Sequence, residues 1–358
     1  MFVKRPLIAI DIGTSSVKIA ELHANRKSVK RLGYELIPPG IVDDGEVRDS
    51  EAILNIIRRA FHRIGIVPKG RHAALSLGGS GILIKRGMVT PVDDSDLDEQ
   101  CFHLAEQFFE SDLNDMYFRG SAIGKAEADG RTPVILVGAK RELVEQQVEL
   151  IHALGMRTGL IDSDVISIAN MFDYNFPLDN TLALLVNVGH SLTHVILLHN
   201  GQFLFSRSVD LGGGHYSQRI AQELGVEFDK AEALKLMASQ GDQSVAEEVR
   251  NLISETNESL AMLIQESMNF FFQQDDLPEN VQGADHAFLV GGGARTLGLD
   301  AAIAATLSLP IQIVSPFHRV DANNCGVPLD YILQMGPIFG NCVGLALRTY
   351  NDAKVRAS

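Results

Sequence analysis

At 358 residues and a formal net charge of −14, the chain is too long for one small core and too acidic for a general binder of nucleic acid or anionic membranes, which needs a basic face. Hydrophobic residues make up 46% and charged residues 21%, which excludes wholesale disorder. Cys101, Cys325 and Cys342 lie far apart without zinc spacing and read as reduced thiols of a cytosolic protein.

Met1–Pro6 runs straight into the first strand and leaves no room for a signal peptide. No apolar run approaches the roughly 20 residues that a bilayer span takes, so any membrane role comes through a partner. Leu7–Lys18 reads as a strand, a tight glycine turn and a returning antiparallel strand. The turn offers backbone N–H groups, the Thr14, Ser15 and Ser16 hydroxyls and the Lys18 cation, all suited to a phosphate tail. Asp11, ending a buried strand, is placed to hold hydrated Mg²⁺ facing that tail. Taken alone, the same residues also make a polar hairpin with a solvated lysine.

Val29–Ile37 is a third strand, ended by Pro38-Pro39-Gly40. Ser50 caps a helix whose apolar positions Ile53, Ile56, Ile57, Ala60, Phe61 and Ile64 follow 3/4 spacing. His72–Leu77 is a strand running into Gly78-Gly79-Ser80-Gly81. From Gly81 the character changes: strand, helix, strands and helix over some seventy residues form a small inserted α+β subdomain, suited to interaction. Met156–Ile161 returns as a strand, and Asp162-Ser163-Asp164 precedes a helix. Pro177-Leu178-Asp179-Asn180 marks a lobe boundary.

Leu184–Thr193 then repeats the logic of the opening hairpin. Asn187 falls opposite Asp11, Gly189 opposite Gly13 and Ser191 opposite Ser15, each 176 residues on, and the strand Thr193–His199 matches Val17–His23. A repeat on this scale signals a duplicated fold unit, with two glycine-hydroxyl turns gripping a phosphate chain across a cleft. His190 in the second turn reads as an exposed turn residue rather than a phosphate contact. Asp210-Leu211-Gly212-Gly213-Gly214 leads into a helix, Asp229 caps the next, and Val245–Phe272 is one long amphipathic helix. His286–Val290 is a strand running into Gly291-Gly292-Gly293, where bare backbone lets a ligand approach. It is not a dinucleotide fingerprint, because Thr296 stands where the third glycine would fall. Gly336–Arg348 reads as an apolar helix.

The three glycine motifs, around Asp11–Ser16, Asn187–Thr193 and Gly291–Gly293, resemble the phosphate-1, phosphate-2 and adenosine motifs of the actin-like ATPase superfamily. Within it the chain is most similar to the PilM family of type IV pilus assembly proteins, relatives of the cell-division protein FtsA. Ile8–Gly13, the insertion after Gly81, Gly155-Met156 leading to Asp162, Asp210–Gly213 followed by Ala231-Glu232 and Lys235, and Gly344–Arg348 carry that likeness. FtsA proteins end in an amphipathic membrane helix, for which Thr349–Ser358 is too short and polar.

The resemblance implies an α/β, two-lobed, duplicated ribonuclease-H-like fold. Residues 1–80, 153–180 and 335–358 would form the first lobe, 81–152 the inserted FtsA-like subdomain, and 181–334 the second lobe. It implies a cytoplasmic ATP- or ADP-binding scaffold of the inner-membrane platform that holds the cytoplasmic N-terminal peptide of PilN and links it to the motor. Asp11, Gly13, Thr14, Ser15, Ser16 and Lys18 would meet the phosphates and Mg²⁺. Asn187, Gly189, Ser191 and Thr193 would close the second side, with Gly212 and Gly213 nearby. Glu232 and Lys235 would lie near ribose or base, and Gly291, Gly292 and Gly293 beneath the adenosine. The family pattern opens the second motif with aspartate. Asn187 takes up no proton there, so binding without efficient turnover is expected. Asp162 and Asp164 fall where the superfamily places a carboxylate near the γ-phosphate. A sugar kinase of the same superfamily and a filament-forming cytoskeletal protein are the alternatives; the first lacks a convincing base.

Overall fold

Two hairpins of aliphatic and β-branched residues seed two sheets of the same design. The computed structural model describes residues 7–90, 94–109, 113–123, 126, 129–274, 281 and 283–348. The expectations about Met1–Pro6 and the tail Thr349–Ser358 lie outside these residues.

The first part comprises β1 (Ile8–Ile12), β2 (Ser16–Leu22), β3 (Val29–Leu36), the short hairpin β4 (Val42–Asp43) and β5 (Glu46–Val47), α1 (Ser50–Arg63) and β6 (His72–Leu77). There follow β7 (Ile82–Val89), α2 (Asp94–Phe108), β8 (Met116–Ala122), β9 (Thr132–Lys140), α3 (Arg141–Ala153), β10 (Arg157–Ser163) and α4 (Asp164–Asn175). The second part carries β11 (Leu182–Val188), β12 (Thr193–His199), β13 (Gln202–Val209), α5 (Gly213–Leu224), α6 (Phe228–Ser239) and α7 (Glu247–Phe272). It ends with β14 (His286–Val290), α8 (Leu299–Leu307), β15 (Ile311–Ile313), α9 (Leu329–Met335) and α10 (Gly340–Leu347).

Sheet 1 runs β3-β2-β1-β6-β10 and sheet 2 runs β13-β12-β11-β14-β15. In each, an antiparallel meander is extended by two parallel strands. The match reaches single residues: Asp11 pairs with Lys18 as Asn187 pairs with His194. Ile12 pairs with Val17 as Val188 does with Thr193. Even the turn bonds repeat, since Gly13 N–H donates to Ser16 O at 3.1 Å and Gly189 N–H to Leu192 O at 2.9 Å. The duplication read from the sequence is therefore a duplication of structure.

The two helices at the centre are exchanged between the halves. Helix α4 leaves sheet 1 through β10 yet buries Val165, Ile168 and Phe172 in one cluster with Ile196, Phe203 and Phe288 of sheet 2. Helix α10 follows the second half yet packs Val343, Leu345 and Ala346 with Ala9, Ala20 and Ala74 of sheet 1. Where they cross, Gly344 lies against the Ser167 carbonyl, and a side chain there would overlap it.

Segment 82–140 adds the antiparallel sheet β7-β9-β8, with α2 on one face burying Cys101 and Ala105, and Phe109 just after the helix, against Val89, Val134 and Leu136. The sheet's Ile84, Ile135 and Val137 instead join the cluster of α4 and sheet 2. Helix α3 turns inward, with Leu150 and Ile151 in the core between sheet 1 and α1. All three thiols are buried and free, and burial pushes Cys101 up to about 11. None of them is a ready nucleophile.

Three local expectations are corrected. Asp49, not Ser50, caps α1, its carboxylate accepting from Ala52 N–H. Aspartate and serine cap equally well, so adjacent candidates cannot be ranked from sequence. Asp229 lies inside α6, whose N-cap Glu227 makes no side-chain cap bond. The apolar stretch from Gly336 is a 3₁₀ turn (Gly336–Phe339) containing Pro337 before α10 proper begins, because proline offers no N–H to a regular helix.

Candidate nucleotide cleft

A row of polar side chains crosses sheet 1 at the carboxyl end of β1. Asp162 on β10 pairs with Ser76 on β6, and the Ser76 hydroxyl donates to Asp11 Oδ1 at 3.2 Å. Asp11 pairs with Lys18 on β2, Nζ to Oδ2 3.3 Å, and Lys18 pairs with Tyr34 on β3. The corresponding row of sheet 2 is Val290, Asn187, His194 and Ser208.

Each exchanged helix delivers one polar side chain from its first turn to the other half's row. Asn341 of α10 donates Nδ2 to Asp11 Oδ1 at 3.0 Å and to Ser76 Oγ at 3.0 Å. Asp164 of α4 meets His194 Nε2 at 2.9 Å, and His194 Nδ1 lies 2.8 Å from Ser208 Oγ. Burial alone would lower the His194 pKa, but the Asp164 charge and hydrogen bond outweigh it and raise it. Asn187 leaves the second row without a strand-borne acid, and Asp164 supplies one from outside the sheet.

The predicted carboxylates are thus both engaged. Asp162 Oδ2 holds Arg348 Nη1 at 2.6 Å, and Asp164 holds His194. Neither stands free as a base.

The turns themselves are partly exposed. Gly13, Thr14 and Ser15 are half-buried, as are Gly189, His190 and Ser191, while Ser16 is buried. Turn closure uses the N–H groups of Gly13 and Gly189, leaving those of Thr14, Ser15, His190 and Ser191 outside the backbone bonding of the hairpins. Thr193 is fully buried and its hydroxyl donates to Leu211 O at 2.6 Å, so it braces the loop before α5. Gly212 and Gly213 are buried too. Gly213 N–H donates to Gly189 O and Gly214 N–H to His190 O, each at 2.8 Å, which seats the start of α5 on the second turn. These four residues shape the turn from behind.

His190 is not the exposed turn residue that the sequence led us to expect. It is half-buried, with its ring edge-on to Phe228 at 6.2 Å, in space that a side chain at Gly214 would fill at 2.6 Å. Its pKa is lowered, first by burial, then by Lys235, and further by His215 and by Lys18 of the other half, with Glu232 opposing. Lys18 of the first hairpin is thus among the cations whose charge reaches the imidazole on the second turn. Lys235 is buried on Gly213 O and Glu232 Oε2, both at 2.7 Å, and burial lowers its pKa against the pull of Glu232. Glu232 also accepts from Ser217. That network leaves Glu232 about one-third exposed and Lys235 almost fully covered.

The triple glycine divides its labour. Gly291, at φ +95°, passes so close to β11 that a Cβ would meet Asn187 Oδ1 and Val188 O at 2.5 Å, and a side chain on Gly293 would run into Val188. Gly292 alone is exposed backbone. Gly291→Ala is expected to cost about 2–4 kcal/mol in chemical unfolding, from positive φ plus overlap; a cost below about 1 kcal/mol would contradict the close approach.

Asn341 and Ser76 were missed from the sequence. Asn341 is the one amide in an apolar stretch, a usable signal; Ser76 has no such mark. Asn341 Oδ1 is buried without a hydrogen-bond donor, beside an acid that already binds three groups. An acceptor left open there suits a proton-bearing water of a hydrated cation at Asp11. A single carboxylate fits Mg²⁺ that keeps most of its waters. Among the described residues there is no cluster of three or more acidic, histidine or cysteine ligands, and no helix long and apolar enough to cross a membrane.

The model of the family of type IV pilus assembly protein PilM matches residues 9–350. The chain is 25% identical over 354 residues to the cell division protein FtsA of Staphylococcus epidermidis (strain ATCC 12228 / FDA PCI 1200), covering 86% of this chain and 74% of FtsA. In structure it is similar to a PilM–PilN type IV pilus biogenesis complex, with TM-score 0.85, 19% identity, and 96% of this chain and 98% of that one covered. MreB5 of Spiroplasma citri bound to AMPPNP follows the same course with TM-score 0.58, 14% identity and 98% of both chains covered. The expected two-lobed, actin-like fold is therefore the observed one. With the family model spanning nearly all of it, the chain belongs to the PilM family of type IV pilus assembly proteins.

Proposed function

We propose that the chain is a nucleotide-responsive scaffold of the pilus assembly platform. The cleft would hold ATP or ADP with Mg²⁺, and a groove involving the inserted sheet would hold the cytoplasmic N-terminal peptide of PilN, linking it to the motor. The observation that carries this reading is the pair of glycine turns with the same register and closing bond, together with similarity in structure to a PilM–PilN complex. In that reading the protein works at the cytoplasmic face of the inner membrane.

Asp11 would hold Mg²⁺ through water, with Asn341 accepting from one of those waters. Thr14, Ser15, Lys18 and Ser191 would bind the phosphates with the free turn N–H groups, Ser16 holding the first turn from beneath. Gly292 would face the adenosine, and Glu232 the ribose or base, held in place by Lys235. Bound nucleotide would supply charge that draws the two turns together and so sets the lobe angle. Turnover would be slow, because Asn187 takes up no proton and both Asp162 and Asp164 already hold cationic partners.

Calorimetric titration with the PilN peptide, with and without Mg-ATP, tests the reading. Nucleotide-dependent binding at micromolar strength or better is expected. Nucleotide-independent binding would leave the scaffold and remove the switch, and no binding in either state would overturn the assignment. Asp11→Asn is expected to weaken Mg-ATP by about 10- to 100-fold while leaving metal-free nucleotide binding little changed. A steady-state rate of about 1 s⁻¹ or more, ordinary for a dedicated enzyme, would refute slow turnover.

A further inference from the structure

Composition argues against a basic face, yet the structure gathers one. Helix α1 buries Ile53, Ile56, Ile57, Ala60 and Phe61 and turns Arg58, Arg59, His62 and Arg63 outward. Spaced i, i+1, i+4 and i+5, these four fall on one helical face. Their side chains line an open trough of about 470 Å³. Beyond the helix end, Lys69 is exposed and Val67 is 76% exposed. Arg31 is exposed on edge strand β3, two residues from Gly33, whose missing side chain makes room for Ile64 at the end of α1.

Opposing charge is sparse. Glu35 lies beneath Arg63, bound to it at 3.0 Å and only 9% exposed, and Glu51 stands two turns up the helix. Two basic residues in the last turn are explained by the helix dipole, which favours cations there. Arg58, Arg59, Arg31 and Lys69 are not, in a chain of net charge −14.

We propose that this face docks directly on an anionic phospholipid bilayer, independently of any partner protein. Guanidinium groups pair with phosphate headgroups, and no walls rise around the trough to enclose a small ligand. Val67, exposed just after the helix end and before Lys69, favours lipid over nucleic acid, since a bilayer interface accepts an aliphatic side chain and a phosphate backbone does not. The acidic remainder of the surface restricts the docking to one orientation.

The test is co-sedimentation of the full chain with vesicles of phosphatidylcholine, with and without phosphatidylglycerol. The chain is expected to sediment with the anionic vesicles only, and to be released as ionic strength rises. R58Q/R59Q, both at exposed positions, should lower partitioning by about 30-fold, whereas Lys230→Gln on α6 should leave it unchanged. Val67→Asp should also reduce it, and unaltered thermal unfolding of each variant would show that the fold is kept. Equal sedimentation of R58Q/R59Q and the parent would overturn the proposal. So would binding to neutral vesicles, retention of duplex DNA in preference to vesicles, or no sedimentation of the parent.

Discussion

Gly344→Val is expected to lower stability by about 3 kcal/mol or more, a fall of about 4 °C or more in melting temperature. The reason lies in the crossing of α4 and α10. Any Cβ at 344 overlaps the Ser167 carbonyl and comes within 3.2 Å of Met171 Cβ, and neither helix has slack to move. Behind Ser167, α4 is pinned by Val165, Ile168 and Phe172 in the core of sheet 2; behind Gly344, α10 is pinned by Val343, Leu345 and Ala346 on sheet 1. Overpacking here must separate the halves rather than distort one loop. The same displacement would draw Asn341 away from Asp11, so Mg-nucleotide affinity should fall in the fraction that remains folded. A melting temperature within a degree of the parent's would contradict the close approach of the two helices.

Asp164→Ala should cost about 1–3 kcal/mol near pH 6: burial alone lowers the His194 pKa, so without the acid the imidazole, 6% exposed, sheds its proton and keeps an unpaired ring nitrogen. The pair also carries a pH signature. The folded His194 pKa is raised above the ordinary value of 6.5, so the folded chain holds that proton more tightly than the unfolded one. Its contribution is complete below pH about 6.5 and fades as pH rises through the folded value. His190 acts in the opposite direction, its pKa being lowered, so the whole-protein slope mixes the two. Urea unfolding of the parent and of Asp164→Asn across neutral pH separates them. The parent's advantage should be largest on the acid side and shrink towards alkaline pH; an advantage that grows with pH would reverse the assignment of the pair.

The glycine turns and their repeat were legible because turn chemistry is local: glycine, hydroxyls and flanking aliphatic strands specify a hairpin within a dozen residues. Asn187 at the head of the second turn was legible for the same reason. The partners of the acids were not. Arg348 reaches Asp162 across 186 positions and His194 reaches Asp164 across 30, and nothing in either neighbourhood names the other. Thr193 looked like a ligand because it carries a hydroxyl in a glycine-rich turn, but pleating sends that hydroxyl inward to Leu211. The triple glycine was read as an open floor for adenosine, whereas Gly291 and Gly293 make room for β11 and leave Gly292 open. Net charge, being a sum, hid the arginines of α1.

The exchange of α4 and α10 sets the order in which the chain can finish folding as it leaves the ribosome. The α10 face of sheet 1, with Ala9, Ala20, Leu22 and Ala74, waits for a helix whose Cys342 is synthesised 333 residues after its Ala9 partner. Until then the nascent first half shows an apolar sheet face that chaperones can bind, and it cannot become a finished domain ahead of the second. Closure of both cores falls to the same late event, which makes the mature protein a single cooperative unit despite its two similar halves.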